Sequence, residues 1–174
     1  MATKLIKDEK MEATKSFLSF KLAQEHFAIE VMKIMEILEV PKITKVPHAP
    51  EFLKGVVNLR GGVLPVIDAR TKFGLPSVDM TVDTCILVLS IELNEENITV
   101  GALVDSVSEV FELEEKHIQP SPSIGAKYRA DFIQGMIKEK DQFMMLLNID
   151  KVFSSEDLES LLETKTESQP ETVG

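Results

Sequence analysis

The chain repeats itself, and this internal repeat constrains the fold more than any other feature of the sequence. Residues 52–57 (FLKGVV) match residues 132–137 (FIQGMI) at an offset of 80, and residues 31–37 match residues 104–110 at an offset of 73. The matched blocks follow each other in the same order in both halves. Two copies of about 70 residues each would be marginal alone, so the repeat predicts two similar subdomains that share a core.

Short apolar runs separated by tight turns make both copies rich in β-structure. Strands are predicted over residues 17–22, 27–38, 63–67, 85–89, 98–104 and 143–149. The turn at residues 60–62 (RGG) predicts a hairpin, and Pro65 places its strand at a sheet edge or at a bulge. In both copies the strand after the hairpin turn ends in Ile-Asp, at 67–68 and at 149–150. Strands this short favour two small barrels over a sandwich.

Three short helical segments are predicted. Residues 50–55 begin with proline and end with glycine, which indicates a single helical turn. Asp68 can cap a helix that ends at Gly74. The longest helix is predicted over residues 154–163, where Ser154 supplies the cap and three leucines form a narrow apolar stripe that docks on the body.

Half of the excess negative charge lies near the C-terminal end. The formal net charge is −10, of which residues 154–174 contribute −5 and residues 1–15 contribute +1. The last twelve residues hold one aliphatic side chain, which is too little apolar surface to offset chain entropy. Residues 1–14 and 164–174 are therefore predicted as disordered tails around a folded domain over 15–163.

Charge, apolar run length and cysteine content argue against several functions. An acidic chain lacks the basic face that nucleic acid requires, and anionic membrane surfaces repel it. The longest apolar runs are about five residues, against the roughly 20 that cross a bilayer, and no signal peptide opens the sequence. The single cysteine, Cys85, excludes an intrachain disulfide framework. We expect a cytoplasmic protein with no nucleic-acid partner and no direct membrane insertion.

No set of side chains has the spacing of an active site. The three histidines of the chain, His26, His48 and His117, do not have the spacing of metal ligands. Cys85 lies in an apolar run, which predicts a buried, unreactive thiol. Asp68, Asp105 and Asp150 each follow an apolar strand, where a carboxylate more often caps a turn than moves a proton. No GxSxG elbow or phosphate-binding loop is present, so we expect a non-enzymatic protein without a metal or cofactor.

Two charged residues remain as candidates for recognition. Arg60 lies at the tip of the predicted hairpin, where a guanidinium can hold a carboxylate through two hydrogen bonds. Glu36 points outward from a strand whose neighbours Ile34 and Ile37 are apolar. Composition alone leaves open whether either residue is more than a solvated surface charge.

Residues 55–68 (GVVNLRGGVLPVID) carry the most specific motif of the chain. They resemble the GxxNLRGxxxPxxD signature of the CheW family of chemotaxis coupling proteins. Segments at 27–37, 100–107 and 118–120 are similar to the family in the same order, so the resemblance runs from about residue 16 to residue 162. The match in length favours the free-standing adaptor over kinase and CheV relatives, in which this module is one domain of a longer chain.

The resemblance implies a fold and a function. The implied fold is mainly β, with two similar, intertwined five-stranded SH3-like barrels around a shared central hydrophobic core and a short C-terminal helix. The implied function is that of a non-catalytic adaptor in chemotaxis signalling arrays. Such an adaptor binds the cytoplasmic tip of methyl-accepting chemoreceptors and the regulatory domain of the histidine kinase CheA. In the family the receptor hairpin lies in a groove between the barrels, an instance of a helix bound in an apolar groove.

The resemblance also assigns residues by position. Apolar receptor contacts are expected from Leu18, Val31, Ile34 and Val107. Glu36 and Arg60 match positions implicated in coupling receptor and kinase, and in the family they can pair with each other. The kinase surface is expected around Val46, Lys54, Gly55, Asn58 and Arg60. At Gly62 the sequence departs from the family, where many relatives carry one glycine followed by a larger residue.

Two alternatives stay open at the level of sequence. The first keeps the fold and assigns the chain, as a CheW-like scaffold, to a receptor–kinase pathway other than motility. The second is an enzyme or a small-ligand barrel, which would need a polar pocket with perturbed pKa values.

Overall fold

Two β-sheets make up most of the described part of the protein. The computed structural model describes residues 14–120, 132–139, 141–153 and Asp157. Sheet A has the strand order β8-β1-β2-β11-β10-β9 and consists of β1 (Thr14–Leu22), β2 (Glu25–Glu30), β8 (Ser106–Glu114), β9 (Ile118–Gln119), β10 (Ile133–Glu139) and β11 (Gln142–Leu147). Sheet B has the order β3-β6-β7-β5-β4 and consists of β3 (Ile34–Glu39), β4 (Leu53–Leu59), β5 (Gly62–Asp68), β6 (Cys85–Leu93) and β7 (Glu96–Val104).

Short helical segments connect the strands. The helices are α1 (Ala69–Lys72), which follows β5, and α2 (Ile149–Val152), which follows β11. The 3-10 turns are Val31–Lys33, before β3, and Glu115–His117, before β9. Asp68 caps α1 by accepting a hydrogen bond from the Arg70 N–H at 3.0 Å, as predicted. Gly74 follows α1 with a φ of 78°, a conformation that favours glycine.

The two sequence copies exchange their first hairpins. The first copy supplies hairpin β1–β2 to sheet A and strands β3 to β5 to sheet B, whereas the second copy supplies hairpin β6–β7 to sheet B and strands β8 to β11 to sheet A. Matched strands occupy matched places, because β3 pairs with β6 as β8 pairs with β1, and β5 pairs with β7 as β11 pairs with β2. The repeat is therefore confirmed as a structural repeat in an intertwined arrangement.

Strand irregularities recur at the same positions of both copies. β3 has a register shift between Ile34 and Glu36, and β8 has one between Val107 and Val110, which is the same place at an offset of 73. The hairpins β4–β5 and β10–β11 have register shifts that begin at Leu53 and Ile133, at an offset of 80. A bulge bends its strand and increases the local twist, so both copies bend alike.

One detail of the predicted repeat is wrong. The Asp68 N–H donates to the Phe52 carbonyl at 2.8 Å, and the equivalent bond runs from the Asn148 N–H to the Phe132 carbonyl at 2.7 Å. The counterpart of Asp68 is therefore Asn148, which caps α2, and not Asp150. The two Ile-Asp pairs look alike in sequence, but they lie two positions apart in the repeat.

Three apolar cores hold the sheets together. The central core lies between the sheets and includes Leu18, Phe20, Leu22, Phe27, Ile29, Ile67, Leu87, Leu89, Ile91, Val100, Val104 and Phe153. The core of sheet B includes Val57, Leu64, Val66, Ile86, Val88 and Leu103, and that of sheet A includes Phe17, Ala28, Ile137, Met144 and Leu146. The expected mainly β fold with a shared central core is confirmed.

The sequence misplaces two features of the hairpin β4–β5. The predicted helical turn at 50–55 is only a hydrogen-bonded turn, because the Leu53 N–H donates to the Pro50 carbonyl at 3.0 Å and β4 begins at Leu53. Of the two placements predicted from Pro65, the sheet edge is wrong, since β4 and β7 flank β5, but the β4–β5 ladder has a register shift next to Pro65, opposite Val66 and Ile67. Pro65 is tolerated because pairing with β7 starts only at Val66, so no ladder bond to β7 is lost.

Two further predictions fall near or beyond the described residues. The last predicted strand, 143–149, ends at Leu147 as β11, and Ile149 already belongs to α2. The helix predicted over 154–163 lies outside the described residues except for Asp157. The predicted tails, 1–14 and 164–174, also lie outside them apart from Thr14, so the boundaries of the folded domain stay a prediction.

Candidate functional site

Strands β3 and β8 are outermost in their sheets, and they carry the central core out to the surface. The cross-strand pairs are Ile34 with Leu89, Ile37 with Leu87, Val107 with Phe20 and Val110 with Leu18. Paired residues of neighbouring strands point to the same face, and all four inner partners belong to the central core. Ile37 is nevertheless 48% exposed and Val110 is 62% exposed. Each edge strand thus presents an apolar rim that is continuous with the core.

The first 3-10 turn, Val31–Lys33, adds to this surface. The turn contacts both β1 of sheet A and β6 of sheet B. Val31 is half-buried against the central core, and Met32 is largely exposed. Of the predicted receptor contacts, Leu18 is different, because it is only 2% exposed. Leu18 supports the surface from below and adds no exposed area to it.

Glu36 and Arg60 form a bidentate ion pair at the tip of hairpin β4–β5. The Arg60 Nη1 and Nη2 atoms donate to the Glu36 Oε1 and Oε2 atoms at 2.6 and 3.0 Å. Arg60 and Gly61 make a two-residue turn with φ values of 51° and 83°, as hairpins of this type require. The Asn58 Oδ1 atom accepts a hydrogen bond from the Gly61 N–H at 3.0 Å and steadies the turn.

The predicted kinase residues lie along β4 and the loop before it. Lys54 is half-buried and lines two open cavities of about 550 and 700 Å³. Val46 packs partly against the central core, and Asn58 is exposed. Gly55 is buried, and its α-carbon faces the Thr44 carbonyl. The structure therefore brings Lys54, Asn58 and Arg60 together on one hairpin and gives Gly55 a packing role.

Neither the single cysteine nor the metal-ligating side-chain types of the described residues form a recognisable reactive site. Cys85 is half-buried, and burial raises the pKa of its thiol, which keeps it protonated at neutral pH. Within the described ranges no three His, Cys, Asp or Glu side chains are arranged to hold a metal ion. No helix of the described residues is both long enough and apolar enough to cross a membrane.

Asp105 has a role that its sequence position did not predict. It accepts hydrogen bonds from the Arg70 Nε and Nη2 atoms at 2.8 and 2.5 Å, and from the Ala23 N–H at 2.7 Å. Burial of Asp105 by itself raises the pKa of this carboxyl, but the hydrogen bonds from Arg70 and from the Ala23 N–H outweigh it and hold the pKa below its usual value. The carboxylate ties the β1–β2 turn of sheet A to helix α1, which follows sheet B.

We expect Asp105→Asn to lower the free energy of unfolding by about 2 kcal/mol at pH 7. Because the folded pKa is depressed, the charge contributes its full stabilisation above the unfolded value of about 3.9 and loses it as the pH falls through the folded value. The difference between wild type and variant should therefore be constant from pH 7 to pH 5 and shrink below pH 4. Urea denaturation at several pH values measures this difference. A difference that stays the same at all pH values would contradict the conclusion that the charge of Asp105 causes the stabilisation.

Sequence reasoning missed half of the apolar rim and the pairing of Asp105. Ile37 and Val110 are the two most exposed rim residues, and they occupy matched positions at the offset of 73. The repeat therefore held the signal that would have found them. No local pattern indicates the Arg70–Asp105 pair, because its partners are 35 residues apart and meet only through the hairpin exchange.

The chain is thus a module of two exchanged β-units that presents an apolar rim open to solvent and an exposed, geometrically fixed ion pair. The family model described as "CheW-like domain" matches residues 16–157. The chain belongs to this family, as its sequence motif indicates. The chain is 32% identical to the chemotaxis protein CheW of Rhizobium meliloti over 84% of this chain and 92% of that protein.

Two further similarities agree with this assignment. The chain is 33% identical to the chemotaxis protein CheW of Klebsiella aerogenes over 82% of this chain and 83% of that protein. The crystal structure of the scaffolding protein TtCheW from Thermoanaerobacter tengcongensis is similar with a TM-score of 0.72 and 29% identity, and the match covers 82% of this chain and 90% of that one.

Proposed function

We propose that this protein is a non-catalytic adaptor that couples methyl-accepting chemoreceptors to the histidine kinase CheA in chemotaxis arrays. It acts from the cytoplasm and joins membrane-associated arrays through its partners. The observation that carries the proposal is the apolar rim of β3 and β8, which continues the central core to the surface. The amphipathic helical hairpin of a receptor tip is the kind of partner that covers such a rim.

The ion pair beside the rim supports a second contact. Arg60 is 73% exposed at its side chain, whereas Glu36 is 25% exposed. A carboxylate that is mostly covered fixes the guanidinium in one place while leaving its outer face open to a partner. Receptor binding at Val31, Ile34 and Val107, together with kinase binding around Lys54, Asn58 and Arg60, would let one small protein hold both partners at once. Simultaneous weak contacts in a lattice then give strong overall association.

A reconstituted assay tests the proposal directly. Receptor cytoplasmic fragments, CheA and this protein are mixed, and autophosphorylation of the kinase is followed. Activation by receptor that requires this protein is the expected result. A pull-down from lysate spiked with receptor fragments identifies the pathway, since the bound kinase names it. Folded protein that retains neither a CheA-type kinase nor a receptor fragment would overturn the proposal.

Arg60→Glu is expected to abolish receptor-dependent kinase activation while the fold remains intact. The reversal places two carboxylates at the hairpin tip and removes the fixed guanidinium. An exposed ion pair contributes at most about 1 kcal/mol to stability, so the loss of coupling is not a loss of folding. Kinase activity in the reconstituted system measures the effect, with circular dichroism for the fold.

Lys116→Glu is the matched control for this change. Lys116 pairs with Glu114 at 3.1 Å and is 69% exposed at its side chain, so its reversal disturbs a similarly exposed ion pair away from hairpin β4–β5. This control should activate the kinase like wild type. If Arg60→Glu and Lys116→Glu supported the same receptor-dependent kinase activation, Arg60 would not belong to the coupling surface.

A further inference from the structure

Among the described residues, one ion pair that joins the two sheets is centred on Asp105. Asp105 lies in the crossover between β7 and β8, Arg70 lies in α1, and the Ala23 N–H belongs to the β1–β2 turn. The carboxylate accepts from both partners, at 2.5 Å from the Arg70 Nη2 and 2.7 Å from the Ala23 nitrogen. We name these three residues the first clamp. It ties the hairpin of the first copy to the crossover of the second.

The second clamp consists of Lys33, Glu92 and Asp150. The Lys33 Nζ lies 2.8 Å from the Asp150 Oδ2, and the Glu92 N–H donates to the Asp150 Oδ1 at 2.9 Å. Lys33 closes the crossover between β2 and β3, Asp150 lies in α2, and Glu92 is near the end of β6. Each clamp therefore joins one crossover, one helix and one hairpin N–H.

The helix and hairpin members of the clamps occupy matched positions of the two copies, whereas the crossover members, Lys33 and Asp105, are 72 residues apart and lie one position from an exact match at the offset of 73. Arg70 and Asp150 are 80 residues apart, the offset that relates α1 to α2. Ala23 and Glu92 are 69 residues apart, which is also the distance from Phe20 to Leu89, the partners of the two edge strands. The sense of the charges is inverted, however. The first clamp has a cation in the helix and an anion in the crossover, whereas the second has the anion in the helix and the cation in the crossover.

This inversion distinguishes the exchanged arrangement from its alternative. If each hairpin joined the strands of its own copy, the crossover after β2 would meet α1 and the crossover after β7 would meet α2. Lys33 would then face Arg70, and Asp105 would face Asp150. Both contacts bring like charges together, whereas both native contacts pair opposite charges. Like-charge juxtaposition against the wrong partner is a general way to specify the right one.

We propose that the two charge-inverted clamps select the exchanged topology, by attracting each hairpin to the other copy's strands and repelling it from its own. The four side chains of the two ion pairs are between 15% and 28% exposed, and partly covered pairs are screened less by salt than surface pairs. The clamps also lie close in sequence to the apolar surface, because Val31 lies two residues before Lys33 and Val107 two residues after Asp105. The proposal stands independently of the proposed function.

Charge inversion of one clamp tests the proposal in the full chain. Lys33→Asp/Asp150→Lys keeps opposite charges in the second clamp but gives both clamps the same sense, with an anion in the crossover and a cation in the helix. The alternative arrangement then also pairs opposite charges, so discrimination between the arrangements is lost while the ion pair is kept, and only the Glu92 N–H loses its acceptor at position 150. The single variant Lys33→Asp places two carboxylates together and serves only to show that the pair matters for stability.

Engineered cysteine pairs report which arrangement forms. In a Cys85→Ser background, His26→Cys with Met144→Cys reports the exchange, because these residues face each other between β2 and β11. His26→Cys with Leu64→Cys reports the alternative, since Leu64 is the counterpart of Met144 at the offset of 80. Each protein is unfolded in urea, refolded and oxidised, and the cross-linked fraction is measured within and between chains.

The expected result is a rise of roughly tenfold in the Leu64 cross-link in the clamp-inverted variant, relative to the unmodified clamps. Adding Arg70→Asp and Asp105→Arg inverts the first clamp as well, restores opposite senses and should return the cross-link to its original level. A merely stabilising pair would not show this rescue. A Leu64 cross-link that is equally rare in all three proteins would overturn the proposal, as would one that rises further in the quadruple variant.

Discussion

Gly55→Ala is expected to lower the free energy of unfolding by about 3 kcal/mol. Two effects add at this position. The φ of Gly55 is +153°, a conformation that L side chains rarely adopt, and a Cβ atom would meet the Ile43 Cγ2 at 2.6 Å and come still closer to the Thr44 carbonyl oxygen. The backbone of Thr44 cannot move aside as a flexible side chain could, because its N–H donates to the Val56 carbonyl and its carbonyl accepts from the Val56 N–H. Urea denaturation measures the loss.

Substitutions at two other glycines distinguish the effect of backbone strain from the effect of steric contact with an added Cβ atom. Gly61 has a φ of +83° with nothing within 4 Å of an added Cβ, so Gly61→Ala tests strain alone. Gly135 is the counterpart of Gly55, and its Cβ would meet the Ile118 Cγ2 at 2.6 Å and the Gln119 carbonyl oxygen at 2.7 Å, so Gly135→Ala tests contact alone. Each should destabilise less than Gly55→Ala. If Gly55→Ala lowered the free energy of unfolding no more than Gly61→Ala does, the close approach of Thr44 would not contribute to the cost at Gly55.

This result bears on how kinase binding at Gly55 is understood. The family resemblance places Gly55 on the kinase surface, but the residue is buried and its position is dictated by packing. Loss of kinase binding in Gly55→Ala would therefore follow from a displaced strand β4 and would not identify a contact. Lys54→Ala and Asn58→Ala test the surface itself, because both side chains reach solvent and neither is needed to fill a core.

The positions of the strands could be predicted because the sequence signals for a strand are local. The strands with which each hairpin pairs could not be predicted in this way. Apolar runs located most of the strands, the turn at residues 60–62 predicted the hairpin β4–β5, and the Asp68 cap with Gly74 located α1. Periodicity does not say which copy a hairpin joins, since β2 could pair equally well with either set of strands on pattern alone. In the structure the exchanged partners are held together by contacts between residues far apart in sequence, such as Arg70 with Asp105.

In the candidate site, too, local features could be predicted and features that depend on distant contacts could not. Arg60 could be placed at a hairpin tip because the turn residues specify it, and the family resemblance supplied Glu36 as its partner. The burial of Leu18 could not be read locally, because β1 lies between two cores. Phe17 packs into the core of sheet A while Leu18 packs into the central core, so both faces of this strand are apolar and neither marks the surface.

Val110→Asp and Ile37→Asp are each expected to weaken the binding of a receptor cytoplasmic fragment by about tenfold or more, and the double variant by more than either. A helix that covers the rim would bury each introduced carboxylate without a partner, which is strongly unfavourable. Both side chains are already about half exposed or more in the free protein, so the free energy of unfolding should change by about 0.5 kcal/mol or less. Binding is measured by calorimetry or interferometry with the receptor fragment.

Val82→Asp is the matched control, because Val82 is fully exposed, lies in the loop between α1 and β6 and is not one of the four rim residues Ile34, Ile37, Val107 and Val110. Receptor affinity should be unchanged in this variant, and CheA affinity should be unchanged in the two rim variants. Because Ile37 and Val110 lie on matched strands of the two copies, the strength of each effect also tells which sheet carries more of the contact. If both rim variants bound the receptor fragment like wild type while Arg60→Glu still lost coupling, the receptor would have to dock elsewhere than on the edges of β3 and β8.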